Sequence, residues 1–73
     1  MSKLAQVSGA DVVRALQKLG FAVRRQHGSH IILRRDDPFA QTVVPNHRQI
    51  DRGTLRAILR QTEITADELI KQL

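Results

Sequence analysis

The spacing of apolar residues changes twice along this chain, and that change limits the folds open to it. Val12, Val13, Leu16 and Leu19 recur at helical intervals. Between Phe21 and Val44 the apolar residues come instead in short, partly β-branched runs separated by turn residues. Leu55, Ile58 and Leu59 then return to the helical interval. A period near 3.6 marks a helix with one buried stripe, and short β-branched runs mark strands. The predicted order is α-β-β-β-α-α. Helices at the ends and strands in the middle give an α+β fold: one three-stranded antiparallel sheet with helices packed on one face. At 73 residues the chain has room for a single domain, spanning 1–73, with a thin core.

Local chemistry sets the boundaries. Ser8 is placed to cap the first helix, with Asp11 three positions on, where negative charge favours the helix dipole. Val7 precedes the cap and is placed to staple back onto the helix. Gly20 ends that helix as a left-handed cap. Phe21 to Gln26 reads as a strand with Phe21 and Val23 inward, His27-Gly28 as a turn, and Ser29 to Arg35 as a second strand. Asp36-Asp37-Pro38 is the next turn, and Gln41 to Val44 the third strand, ended by Pro45. Asp51 caps a second helix, whose inner stripe is Leu55, Ile58, Leu59 and Thr62. Arg52, Arg56 and Arg60 form a basic ridge beside it. Thr65 with Glu68 forms a capping box for a short last helix carrying Leu69, Ile70 and Leu73.

Composition removes several classes of protein. There is no cysteine, which excludes disulfides, cysteine nucleophiles and thiolate-bound metal. Three histidines without clustered carboxylates make no metal motif, so neither metal nor cofactor is expected. No apolar run exceeds three residues, the length of Ile31 to Leu33, whereas a membrane span needs about 20 residues. No secretory signal is visible after Lys3, and the expected compartment is the cytoplasm.

Charge supplies the first functional signal. The net charge is +5, and nine of the twelve basic residues are Arg. Residues 21–60 hold eight Arg against three Asp. A basic, Arg-rich middle suits a polyanion such as nucleic acid, and equally a solvated face that aids solubility. Alternation along the second strand divides its side chains. Ile31 and Leu33 share one face; His30, Ile32 and Arg34 share the other. Burying the His and Arg side without partners would cost several kcal/mol, on the order of 2–7 per polar group, so helices are expected over Ile31 and Leu33. Alternation in the first strand then puts Arg24 and Gln26 on the open face beside His30. An imidazole exchanges protons near neutrality, and guanidinium groups hold phosphates. Together they suit abstraction of a ribose 2′-hydroxyl proton followed by attack on phosphorus. A surface or hydrogen-bonded structural histidine is the plainer reading of His30. His27 reads as a turn residue. His47, leaving the third strand, is either a loop residue near the next cap or an auxiliary acid–base group approaching His30.

Five blocks in order resemble the HicA family of toxins. They are Ser8-Gly9 opening a helix, Leu19-Gly20-Phe21 at its exit, Gly28-Ser29-His30, Val44-Pro45-Asn46-His47, and Gly53-Thr54-Leu55-Arg56-Ala57-Ile58-Leu59. The resemblance covers about residues 7–70. It implies a fold like the double-stranded-RNA-binding domain and an mRNA interferase activity that cleaves RNA and arrests translation. It implies a catalytic role for His30 and a HicB antitoxin partner covering the active face. The expected substrate is mRNA, contacted by Arg24, Arg34 and Gln26 and by Gly28 and Ser29 of the Gly-Ser-His block. A hetero-oligomer with the antitoxin is expected, and no membrane partner. The competing reading is a module that binds double-stranded RNA without cutting it.

Overall fold

The computed structural model describes residues 6–73, so the first five positions of the expected domain lie outside the described residues. Its elements are α1 (Gly9–Lys18), β1 (Ala22–His27), β2 (His30–Asp36), β3 (Phe39–Pro45), α2 (Arg52–Thr62) and α3 (Ala66–Lys71). The α-β-β-β-α-α order and the α+β fold are those expected.

Each helix starts on its anticipated cap. The Ser8 side chain accepts from the Asp11 N–H at 3.0 Å, and Asp11 returns the bond by accepting from the Ser8 N–H at 3.2 Å. Asp51 accepts from Thr54 N–H at 2.9 Å, and Thr65 with Glu68 forms the second reciprocal box. These bonds satisfy N–H groups that the first helical turn leaves without partners. Gly20 takes φ 101 just after α1.

The strands form one antiparallel sheet in the order β1-β2-β3. Helices cover the face of Ile31, Leu33, Ala40, Thr42 and Val44, all buried. Val12, Leu16, Ile58 and Leu69 are buried against that face and against each other. Two buried polar groups are satisfied. Thr62 Oγ1 donates to the Ile58 carbonyl at 2.8 Å, and Thr42 Oγ1 donates to Gln61 Oε1 at 2.7 Å. Leu73, grouped with the apolar residues of the last helix, is 42% exposed beyond its end.

All three strands differ from expectation by one or two residues at their ends: β1 is Ala22–His27 rather than 21–26, β2 is His30–Asp36 rather than 29–35, and β3 is Phe39–Pro45 rather than 41–44. β3 begins at Phe39, and β1 runs through His27, so the first turn is Gly28-Ser29 rather than His27-Gly28. His27 pairs directly with His30, which leaves a two-residue connection. Gly28 has φ 57 at the first central position, as a type II′ hairpin turn requires. Val23, expected in the core, is 42% exposed, although it pairs with the buried Leu33. β1 is an edge strand that leaves the helix layer after Phe21.

Candidate active site

The sheet face without helices carries His30, Ile32 and Arg34 from β2 and Phe39, Gln41 and Val43 from β3. His30 is exposed at the first position of β2, opposite Pro45 of β3 and His27 of β1. The sequence-based placement of His30 and Arg34 on an open face therefore agrees with the structure.

The β1 residues are placed differently. A bulge between Val23 and Arg25 leaves Arg24 without a ladder partner. Beyond it the alternation is reversed. Arg25 pairs with Ile32 and His27 with His30, so both share the open face. Gln26 pairs with Ile31 and lies on the opposite side of the strand; its Nε2 donates to the Gly28 carbonyl at 2.9 Å, bracing the turn. Gln26 is thus a support of the hairpin and not a neighbour of His30, because one extra residue inverts the phase of everything after it. Arg25 and His27 are the open-face groups that alternation counted from Phe21 missed. Counting backward from a two-residue turn at Gly28-Ser29 would have found both.

Arg34 Nε lies 2.8 Å from Asp36 Oδ1. The N–H is not directed at the carboxylate, so the contact is an ion pair and Arg34 Nε has no well-aligned acceptor. Asp36 therefore sits beside the Arg34 guanidinium on the open face. Arg35, on the covered side, lies with its guanidinium 4.7 Å from the Phe21 ring centroid and donates to the Pro38 carbonyl. The Arg52, Arg56 and Arg60 ridge is exposed, but α2 belongs to the layer behind the sheet. The structure does not bring that ridge to His30.

Ser29 and His47 are tied into one loop system. The Asn46 N–H donates to the Ser29 carbonyl at 2.6 Å, and the His47 carbonyl accepts from Gly9 N–H at 2.8 Å. Gly9 is required there: a Cβ would sit 2.1 Å from the Pro45 carbonyl oxygen. His47 is exposed, and its charge helps to hold the Asp51 carboxyl below the usual carboxylate range, behind the larger effect of hydrogen bonds from Thr54. Among the described residues, no hydrogen bond or ion pair joins His47 to His30. No group of three His, Asp or Glu side chains converges as a metal site among them, and no helix is long and apolar enough to cross a membrane.

Fold and face together define a small α+β domain with a cationic, histidine-bearing sheet surface. The family model for the HicA toxin of bacterial toxin–antitoxin systems matches residues 9–64, and the chain belongs to that family. Membership implies an antitoxin partner. No curated protein matches the chain closely enough to count as a relative.

Proposed function

We propose that this chain is an endoribonuclease acting on mRNA in the cytoplasm, with His30 as general base. One observation supports the reading above all others. An exposed imidazole begins β2 on the helix-free face, in line with Arg25 and Arg34. At about 3.3 Å per residue, Arg25 and Arg34 lie about 7 Å and about 13 Å along the strand from His30. Successive phosphates of an extended strand can occupy those levels.

His30 accepts the proton of a ribose 2′-hydroxyl, and the 2′-oxygen attacks the adjacent phosphorus. The bond to the 5′-oxygen breaks, leaving a 2′,3′-cyclic phosphate and a 5′-hydroxyl. The nucleophile belongs to the substrate, so the step requires no metal-bound water. Arginines favour the charge that gathers on the phosphoryl oxygens. Phe21 is buried, and Phe39, 68% exposed on the open face, is the one aromatic ring free for base stacking. Recognition therefore rests mainly on phosphate and ribose contacts.

A HicB-type antitoxin would cover the same face. Ile32 and Val43 pair as an apolar patch among the cations, with the exposed Phe39 ring farther along β3 beyond the Arg34–Gln41 pair, a face suited to a partner with apolar contacts and an acidic rim. Labelled RNA incubated with the pure protein in EDTA tests the nuclease reading. The native chain should cut, and a folded His30→Ala variant should not. Salt-dependent binding without cutting by the native chain would replace the nuclease with a passive RNA-binding module.

A further inference from the structure

We propose that His27 is the second acid–base group of this site, donating the proton that the leaving 5′-oxygen needs. The inference rests on the nuclease reading above and adds a catalytic residue outside the Gly-Ser-His block.

The β1 bulge carries the argument. In a ladder without Arg24 as an extra residue, continuing from the Val23–Leu33 pair would bring Gln26 opposite His30 and turn His27 past it. The observed register instead pairs His27 with His30 and gives both side chains the same open face. Directly opposite residues hold their Cβ atoms about 4.5–5.5 Å apart, within reach of one bound phosphodiester. Bulges recur beside active sites because they re-aim a side chain in this manner. The turn carrying the pair is braced from both sides, by Gln26 Nε2 on the Gly28 carbonyl at 2.9 Å and by Asn46 N–H on the Ser29 carbonyl at 2.6 Å. Both imidazoles are exposed, and the charged groups sharing their face are Arg25, Arg34 and Asp36. His47, the rival donor, lies in the loop after β3, where its carbonyl accepts from the Gly9 N–H at 2.8 Å, and is not paired with His30 in the ladder.

In-line displacement at phosphorus needs two groups, since the entering and leaving oxygens lie on opposite sides. His30 takes the 2′-hydroxyl proton as the O2′–P bond forms. Protonated His27 gives its proton to O5′ as the P–O5′ bond breaks. One proton is taken and one given, and solvent exchange resets the pair.

The test uses a short RNA spanning a cut site mapped with the native protein. It is prepared once with the normal 5′-oxygen and once with a bridging 5′-sulfur, whose thiolate leaves without a proton. His27→Gln should slow cleavage of the oxygen substrate by about 10²–10⁴-fold, flatten the high-pH limb of the rate profile, and cut the sulfur substrate within about tenfold of the native rate. His30→Gln should be slow on both, and His47→Gln should behave as native. A His27→Gln protein with native rate and pH profile on the oxygen substrate overturns the role of His27 and leaves that of His30 standing. Equal slowing on both substrates also overturns it, by making His27 a binding or positioning group. A native chain that cuts neither substrate removes the nuclease reading itself.

Discussion

Gly9→Ala is a single methyl placed where the fold has no room for it. Its Cβ would meet the Pro45 carbonyl oxygen at 2.1 Å, Asn46 Cα at 3.0 Å and the Pro45 carbonyl carbon at 3.1 Å, all backbone atoms that cannot rotate aside. The start of α1 must move about 1 Å from the end of β3, a distance set by ordinary contact. Overpacking of this kind costs about 1–3 kcal/mol. The Gly9 N–H bond to the His47 carbonyl, 2.8 Å long, stretches with it and removes about 0.5–1.5 kcal/mol more. Ala gains up to about 1 kcal/mol over Gly in helix propensity. The net is a loss of about 1–3 kcal/mol, against a total stability of about 4–11 kcal/mol for a domain this size. Melting followed by circular dichroism at 222 nm should show Tm lowered by about 5–20 °C. The sign is the sensitive part, because Gly→Ala in an unstrained, open helical site raises stability by about 0.4–1 kcal/mol. A Gly9→Ala protein melting at or above the native Tm would refute the close approach of α1 to β3. It would also count against the anchoring of the His47 carbonyl on the Gly9 N–H.

Three further outcomes follow from the geometry. Hydrogen bonds from the backbone and side chain of Ser8 hold the Asp11 carboxyl below its ordinary range, those from the side chain and backbone of Thr54 do so for Asp51, and those from the backbone and side chain of Thr65 do so for Glu68. A carboxyl depressed in the folded state contributes stability above about pH 4 that is lost as pH falls through the lowered value. Stability should thus decline in acid, and Asp51→Asn, which caps without titrating, should flatten part of that decline in denaturant titrations at pH 2–6; an unchanged slope counts against the cap. Arg25→Ala should reduce the salt dependence of RNA binding by about one phosphate, a change of about 0.7 in the slope of log K against log salt for single strands, whereas Arg56→Ala on the far layer should leave it unaltered; equal effects would contradict the assignment of faces. Phe39→Ala should weaken antitoxin binding by at least about tenfold in calorimetry, with the isolated toxin's melting unchanged, because the ring is mostly exposed; undiminished affinity would move the interface elsewhere.

The contrast between β2 and β1 separates what pattern alone can supply from what it cannot. In β2, Ile31 and Leu33 alternate with His30 and Arg34, and only one side can be buried without unpaired polar groups. The helices, their caps at Ser8, Asp51 and Thr65, and the open-face position of His30 were legible because each depends on neighbours within a few residues. β1 has no such internal arbiter. Its two ends answer to different constraints. Phe21 is drawn into the core beneath the helices, while the Gly28-Ser29 turn forces His27 opposite His30. Those phases disagree by one residue, and the sheet absorbs the mismatch by leaving Arg24 out of the ladder. Sequence therefore determined the order of elements, the buried side of the middle strand and the family. Tertiary structure decided which arginine and which second histidine stand beside His30, because strand phase is settled by docking at both ends and not by local preference.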